Sequence, residues 1–227
     1  PIHQFNGVRA YLFPKTRKLL PKAKANFLFK VIFSLIDWII LIYTSIRLWF
    51  FTEKTNSSVT FKTVDFPDKQ CNQSIKETHS VFSRGEVELK WIFEHPWISS
   101  QKSEISRKYP FSSYSNSFTY KTVKVFSKNE FVGFFLFSVR EGHLKTLYWH
   151  LPNGFEKEIA NYLKTFCKEN KIEMVSIYKK ELAAELFKRK FPFLHVKKYG
   201  QNIYSTFELE NSPEIKFQDG DGDVIFT

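Results

Sequence analysis

With 227 residues, 43% of them hydrophobic and 18% aromatic, the chain can bury a sizeable core, which excludes an intrinsically disordered protein. A net charge of +11 attracts anions such as phosphates or lipid head groups, but no RNA- or DNA-binding motif accompanies it, so no specific nucleic-acid partner is expected. Two distant cysteines, Cys71 and Cys167, with no CxxC or Cys/His pairing, exclude a disulfide scaffold and a zinc site; no metal is expected, and the cytoplasm is the expected compartment.

Residues 1–26 hold Arg9, Lys15, Arg17, Lys18, Lys22 and Lys24 and no acid. Their short apolar pieces, broken by Pro14 and Pro21, read as the tail of a preceding domain on which the rest would pack. A first residue of Pro1 rather than Met agrees with a partial or processed chain.

The apolar run 27–51 is long enough for a membrane span, but Lys30, Asp37 and Arg47 interrupt it. A central Asp costs roughly 2.5–3.5 kcal/mol on the insertion scale, cancelling several Leu or Ile residues at about 0.3–0.6 each. The basic residues ahead would keep the N-terminus cytoplasmic, so a single span would place all that follows outside. Lys30, Ser34, Asp37, Thr44 and Ser45 share one helical stripe, which predicts a helix buried on most sides with one wet edge. A linker helix over 27–54 is the expectation; a membrane-inserted helix, and peripheral contact of 1–51 with a membrane surface, are the alternatives.

Further on, 59–66 fits a strand and 86–93 a helix ending at Pro96. Aromatic and β-branched runs at 118–126 and 131–139, split by a polar break, predict a hairpin. A third strand follows over 144–151, with Leu147, Trp149 and Leu151 on one face and Thr146, Tyr148 and His150 on the other. The period then turns helical at Phe155, Ile159, Tyr162, Leu163 and Phe166, with Asn153 and Glu156 spaced as a capping box. A short strand over 174–178, a helix over 181–190 and a strand over 203–209 complete a mixed sheet flanked by helices, an α+β (α/β mixed-sheet) class. Near the end, Asp219-Gly220-Asp221-Gly222-Asp223 is a Gly-rich acidic turn between strands at 214–218 and 224–226. It lacks the twelfth-position Glu of a calcium loop.

This order of elements, with the segment Glu88-Leu89-Lys90-Trp91-Ile92-Phe93-Glu94-His95-Pro96, resembles the GNAT (N-acetyltransferase-like) superfamily, and within it the C-terminal unit of tandem bacterial GNAT-like acyltransferases. The resemblance covers about 59–209 and implies a GNAT-like domain over 55–210, followed by a C-terminal hairpin over 211–227. It implies an acyl-CoA co-substrate, acetyl-CoA or longer, whose pantetheine pairs with a splayed strand and whose pyrophosphate sits at a helix N-terminus. Carried onto this chain, the cofactor-binding residues are Leu151, Asn153, Gly154 and Phe155. His150 is the implied base, and Tyr148 and Tyr178 are further catalytic candidates. Two departures weaken the match. Glu156 and Glu158 repel a pyrophosphate at that helix start, and Phe187 stands where the family places a proton-donating Tyr.

Three functions follow. The first is acyl transfer from CoA to an amine acceptor, an amine-bearing small molecule or a cell-envelope precursor. The second is a non-catalytic binding or scaffold module of a tandem protein. The third is a membrane-surface aminoacyltransferase of cell-envelope precursors.

Overall fold

A computed structural model of the chain describes residues 3–16, 27–51, 58–75, 85–95, 98–99, 113–204 and 218–219. In chain order the elements are β1 (His3–Tyr11), α1 (Phe27–Trp49), β2 (Val59–Val64), α2 (Lys69–Ser74), α3 (Glu86–Glu94), β3 (Ile98–Ser99), β4 (Ser113–Tyr114), β5 (Phe118–Ser127), β6 (Glu130–Arg140), β7 (His143–His150), α4 (Glu156–Glu169), β8 (Met174–Ile177), α5 (Lys180–Lys188) and β9 (His195–Ile203). Seven strands form one mixed sheet in the order β2-β5-β6-β7-β8-β1-β9, while β3 and β4 make a short parallel pair.

Tight turns build the meander. Lys128 and Asn129 between β5 and β6 both have positive φ, 50° and 68°, the geometry that closes a two-residue hairpin without splaying its strands. Glu141 and Gly142 do the same between β6 and β7, with φ of 47° and 81°. The crossover from β7 through α4 then makes β8 parallel to β7.

Period-2 alternation divides β6 between two cores. Phe135 and Phe137 pack with Leu48, Ile159, Leu163, Leu182 and Leu186 under α1, α4 and α5. Phe134 and Leu136 pack with Cys71, Leu89 and Ile92 under α2 and α3. Both faces of the sheet are therefore covered, which accounts for the unbroken apolar run in β6. Within the Trp91-containing segment, the His95 N–H donates to the Trp91 carbonyl at 2.8 Å and closes α3.

Four expectations are corrected. Residues 3–11 are not the tail of another domain: β1 lies inside the sheet, antiparallel to β8 on one side and β9 on the other. Gly7 permits this closeness, since a Cβ there would fall 2.1 Å from the Ile177 carbonyl oxygen. The helix expected as a linker between domains therefore joins two strands of one sheet, and it is not buried on most sides, because its buried residues are Thr44 and Leu48. The final strand begins at His195 rather than 203; it is an edge strand with exposed Lys197 and Lys198, which hid its alternation. Finally, β7 carries a bulge: Phe137 opposes Thr146 and Leu136 opposes Tyr148, leaving Leu147 as the extra residue. Thr146 and Leu147 thereby exchange the faces expected of them.

Candidate functional site

Pairing between β7 and β8 covers three residues, the last being Lys145 with Ser176. Beyond that point the strands are no longer paired, and the bulge at Leu147 sits where they separate. The resulting wedge opens under α4 and α5, between Thr146–His150 on one side and the start of α5 on the other.

Two residues from the acidic end of the chain fill it. The Trp149 backbone N–H donates to Gln218 Oε1 at 2.8 Å. One oxygen of Asp219, Oδ2, accepts from four donors: the Thr146 hydroxyl at 2.6 Å, and the Trp149 indole, Tyr178 N–H and Lys179 N–H at 3.2 Å each. Asp219 is 3% exposed, so its charge has little water to stabilise it. Burial raises its carboxyl above the ordinary carboxylate range, opposed by the four hydrogen bonds, of which Thr146's lowers it most. The Lys179 ammonium lies 5.2 Å from the centre of the Trp149 ring and adds positive potential. The bulge turns the Thr146 hydroxyl and the Trp149 indole to the same side, and the N-terminus of α5 supplies the two backbone donors.

The candidates expected from the sequence do not converge on this wedge. His150 stacks on Phe134 with ring centroids 4.7 Å apart, and its Nε2 is buried without a hydrogen-bond partner. Burial lowers its pKa to about 4, so the ring is neutral near pH 7 and a weak base. Tyr148 is buried in the same α2/α3 core. Tyr178 contributes its backbone N–H to the wedge, but its ring packs against Phe5, Ile203 and Tyr199 on the β1/β9 side. Burial, then the neighbouring Tyr199, pushes its phenol upward, so it gives up a proton less readily than a free tyrosine.

The expected phosphate loop is also redefined. Phe155, not Asn153, is the N-cap of α4, and it makes no side-chain capping bond. The Gly154 N–H donates to the Glu156 carboxylate at 2.9 Å, so an acid already holds that donor. Leu151 packs at the margin of the α4/α5 core, while Asn153 and Gly154 are exposed. Phe187 packs against that core too.

The sequence reading missed the polar residues at the wedge. Strict alternation puts Thr146 and Trp149 on opposite faces, and the acidic end reads as a Gly-rich turn; the strands expected at 214–218 and 224–226 lie outside the described residues apart from Gln218. A second polar group, on β1, β7 and β8, was also unread: the Ser176 hydroxyl lies 2.9 Å from His143 Nε2 and accepts from Arg9 Nε at 3.2 Å. Ser176 is fully buried, which denies it the substrate access a nucleophile needs. A cleft of about 710 Å³ between β1, β9 and α5 carries Lys180, Lys188 and Lys198, a lining that suits an anion and disfavours an ammonium group. Among the described residues, no three His, Cys, Asp or Glu side chains come close enough to hold a metal ion.

Two predictions follow from this geometry. Asp219→Ala strands four donors and should destabilise the fold by about 3 kcal/mol or more in urea unfolding, whereas Asp219→Asn, which still offers an oxygen, should cost markedly less. Equal losses would contradict convergence on one oxygen. For His150 the folded pKa lies below the unfolded value, so the unfolded chain binds more protons between the ordinary 6.5 and about 4. Stability should therefore rise with pH across that window, and be lost as the pH falls through it, by up to roughly 1.4 kcal/mol per unit. His150→Phe should flatten that slope when unfolding is measured as a function of pH.

No family model matches the chain, and no curated protein matches it.

Proposed function

We propose that the chain is a GNAT-like N-acyltransferase module that takes an acyl-CoA-type co-substrate in the wedge between β7 and β8 and passes the acyl group to an amine. The observation that carries this is the set of four donors converging on one oxygen of Asp219. When an amine attacks a thioester carbonyl, that carbonyl oxygen becomes an oxyanion, and preorganised donors at its position lower the barrier. A hydroxyl, an indole N–H and two backbone N–H groups already stand around such a point. Gln218 adds to this: its side-chain amide oxygen takes the Trp149 N–H, as an amide of a pantetheine arm would. In this proposal Gln218 and Asp219 withdraw when the co-substrate enters, and the amine nitrogen bonds the acyl carbon as the C–S bond breaks. The proton given up by the amine passes to the departing sulfur so that CoA leaves as the thiol, and the acceptor is a small amine or a cell-envelope precursor.

A second reading is a binding or scaffold module without catalysis. Three observations favour it: the wedge is filled by the chain itself, Glu156 occupies the Gly154 N–H, and Phe187 offers no proton where the family resemblance calls for a Tyr.

Thermal unfolding with acetyl-CoA and longer acyl-CoAs separates the two. A specific ligand at a hundredfold excess over its Kd adds about 2.7 kcal/mol of stability. Acyl-CoA should raise the Tm, and raise it more in Gln218→Ala, where one competing bond is removed. An unchanged Tm in both proteins would remove the acyl-carrier proposal and leave the module.

A further inference from the structure

We infer that α1 is a membrane-binding element that lies in the plane of a bilayer containing anionic phospholipid, with its apolar arc in the acyl chains. The arc is too wide for a single contact face. Phe33, Asp37, Ile40, Thr44 and Leu48 recur on the side turned to the rest of the protein. Nearly everything else is apolar and exposed, including Phe27 at 82%, Leu28 at 67%, Trp38 at 61%, Ile39 at 60% and Trp49 at 80%. At about 100° per residue these positions sweep roughly two-thirds of the circumference, and the arc carries no charged side chain between Val31 and Ile46. A fluid hydrocarbon phase can wrap such an arc, whereas a partner protein covers one side.

The polar stripe is hydrogen-bonded within the protein. Asp37 Oδ1 accepts from the Thr16 N–H and the Thr16 hydroxyl, both at 2.6 Å. The Thr44 hydroxyl donates to the Leu12 carbonyl at 3.2 Å. The expected orientation is therefore inverted: the polar edge faces protein and the apolar sides face outward.

The same bonds argue against crossing. Contacts run from Phe33, whose carbonyl accepts from Thr16, to Arg47, which donates to the Pro192 and Phe193 carbonyls. That is about 21 Å of helix, most of a hydrocarbon core roughly 30 Å thick. A spanning α1 would carry residues 12–16 and 192–193, with their irregular backbone, into lipid.

Charge selects the surface. At the C-terminal end of α1, exposed Trp49, Phe50 and Phe191 stand beside basic residues. The Arg47 guanidinium lies 5.0 Å from the Phe191 ring centre, the Lys168 ammonium donates to the Phe51 carbonyl at 3.4 Å, and Lys188 and Lys190 are exposed nearby. Aromatic rings with Arg and Lys at one border are the pattern of a residue set at the head-group level, and the net charge of +11 adds long-range attraction to an anionic leaflet.

The test is flotation of the full chain with vesicles of phosphatidylcholine alone and of phosphatidylcholine with phosphatidylglycerol, together with quenching of tryptophan emission by brominated lipid. Binding to the anionic vesicles, with quenching reduced in Trp38→Phe and lost when Trp38→Phe and Trp49→Phe are combined, is expected. Trp38→Glu combined with Ile42→Glu should abolish binding while circular dichroism stays unchanged. Lys188→Glu with Lys190→Glu should weaken binding about tenfold or more and reduce its salt dependence. Alkaline carbonate should release the bound protein, and resistance to carbonate would contradict the in-plane helix. Absence of flotation would overturn the inference. So would equal flotation of the Trp38→Glu, Ile42→Glu protein, or burial of the arc in a stable dimer seen by sedimentation equilibrium.

Discussion

An ionisable group buried in the middle of a sheet needs partners, and unpaired donors in the same place need an acceptor. Asp219 meets both needs at once. Its carboxylate would be costly in an apolar interior, and each N–H or O–H left unfilled there costs about 1–3 kcal/mol. The four bonds to Oδ2 join strand β7, the start of α5 and a residue 73 positions away from Thr146. The parting of β7 from β8, the bulge at Leu147 and the docked acidic end all meet at that one convergence. Without the bulge, the Thr146 hydroxyl would point into the α2/α3 core and one of the donors would be lost.

A second constraint places the rest. Because β1 lies between β8 and β9, the segment leading from it is fixed to the sheet, and that segment holds α1 through Leu12 and Thr16. The wedge and the exposed helix are thus parts of one body. On the proposed function, an acceptor carried in or on a bilayer would meet the transfer site at a distance set by the sheet, which joins the envelope-precursor proposal to the membrane inference.

Much of the sheet was legible because its signals are local. The hairpin turns, the change of period after Leu151 and the apolar run of β6 each act within a few residues. What escaped depends on distant partners. β1 has Asn6 and Gly7 at its centre, which reads as a break until β8 comes close enough to need a residue without a side chain. A bulge adds one residue to a period of two, and no residue type announced it at Leu147. Amphipathicity showed which stripe of α1 was polar but not what that stripe would face. Asp219 looked like any acid in a Gly-rich turn, since its donors lie on other strands.

The central claim is that Asp219 Oδ2 holds the wedge closed through Trp149, Tyr178 and Lys179. Hydrogen exchange at the Trp149 indole and at the Tyr178 and Lys179 amides tests it directly, comparing the natural chain with Asp219→Ala under conditions where both are folded. Protection should drop at these three groups while the β5–β6 amides keep theirs. Unchanged protection at all three would show that something other than this carboxylate closes the wedge.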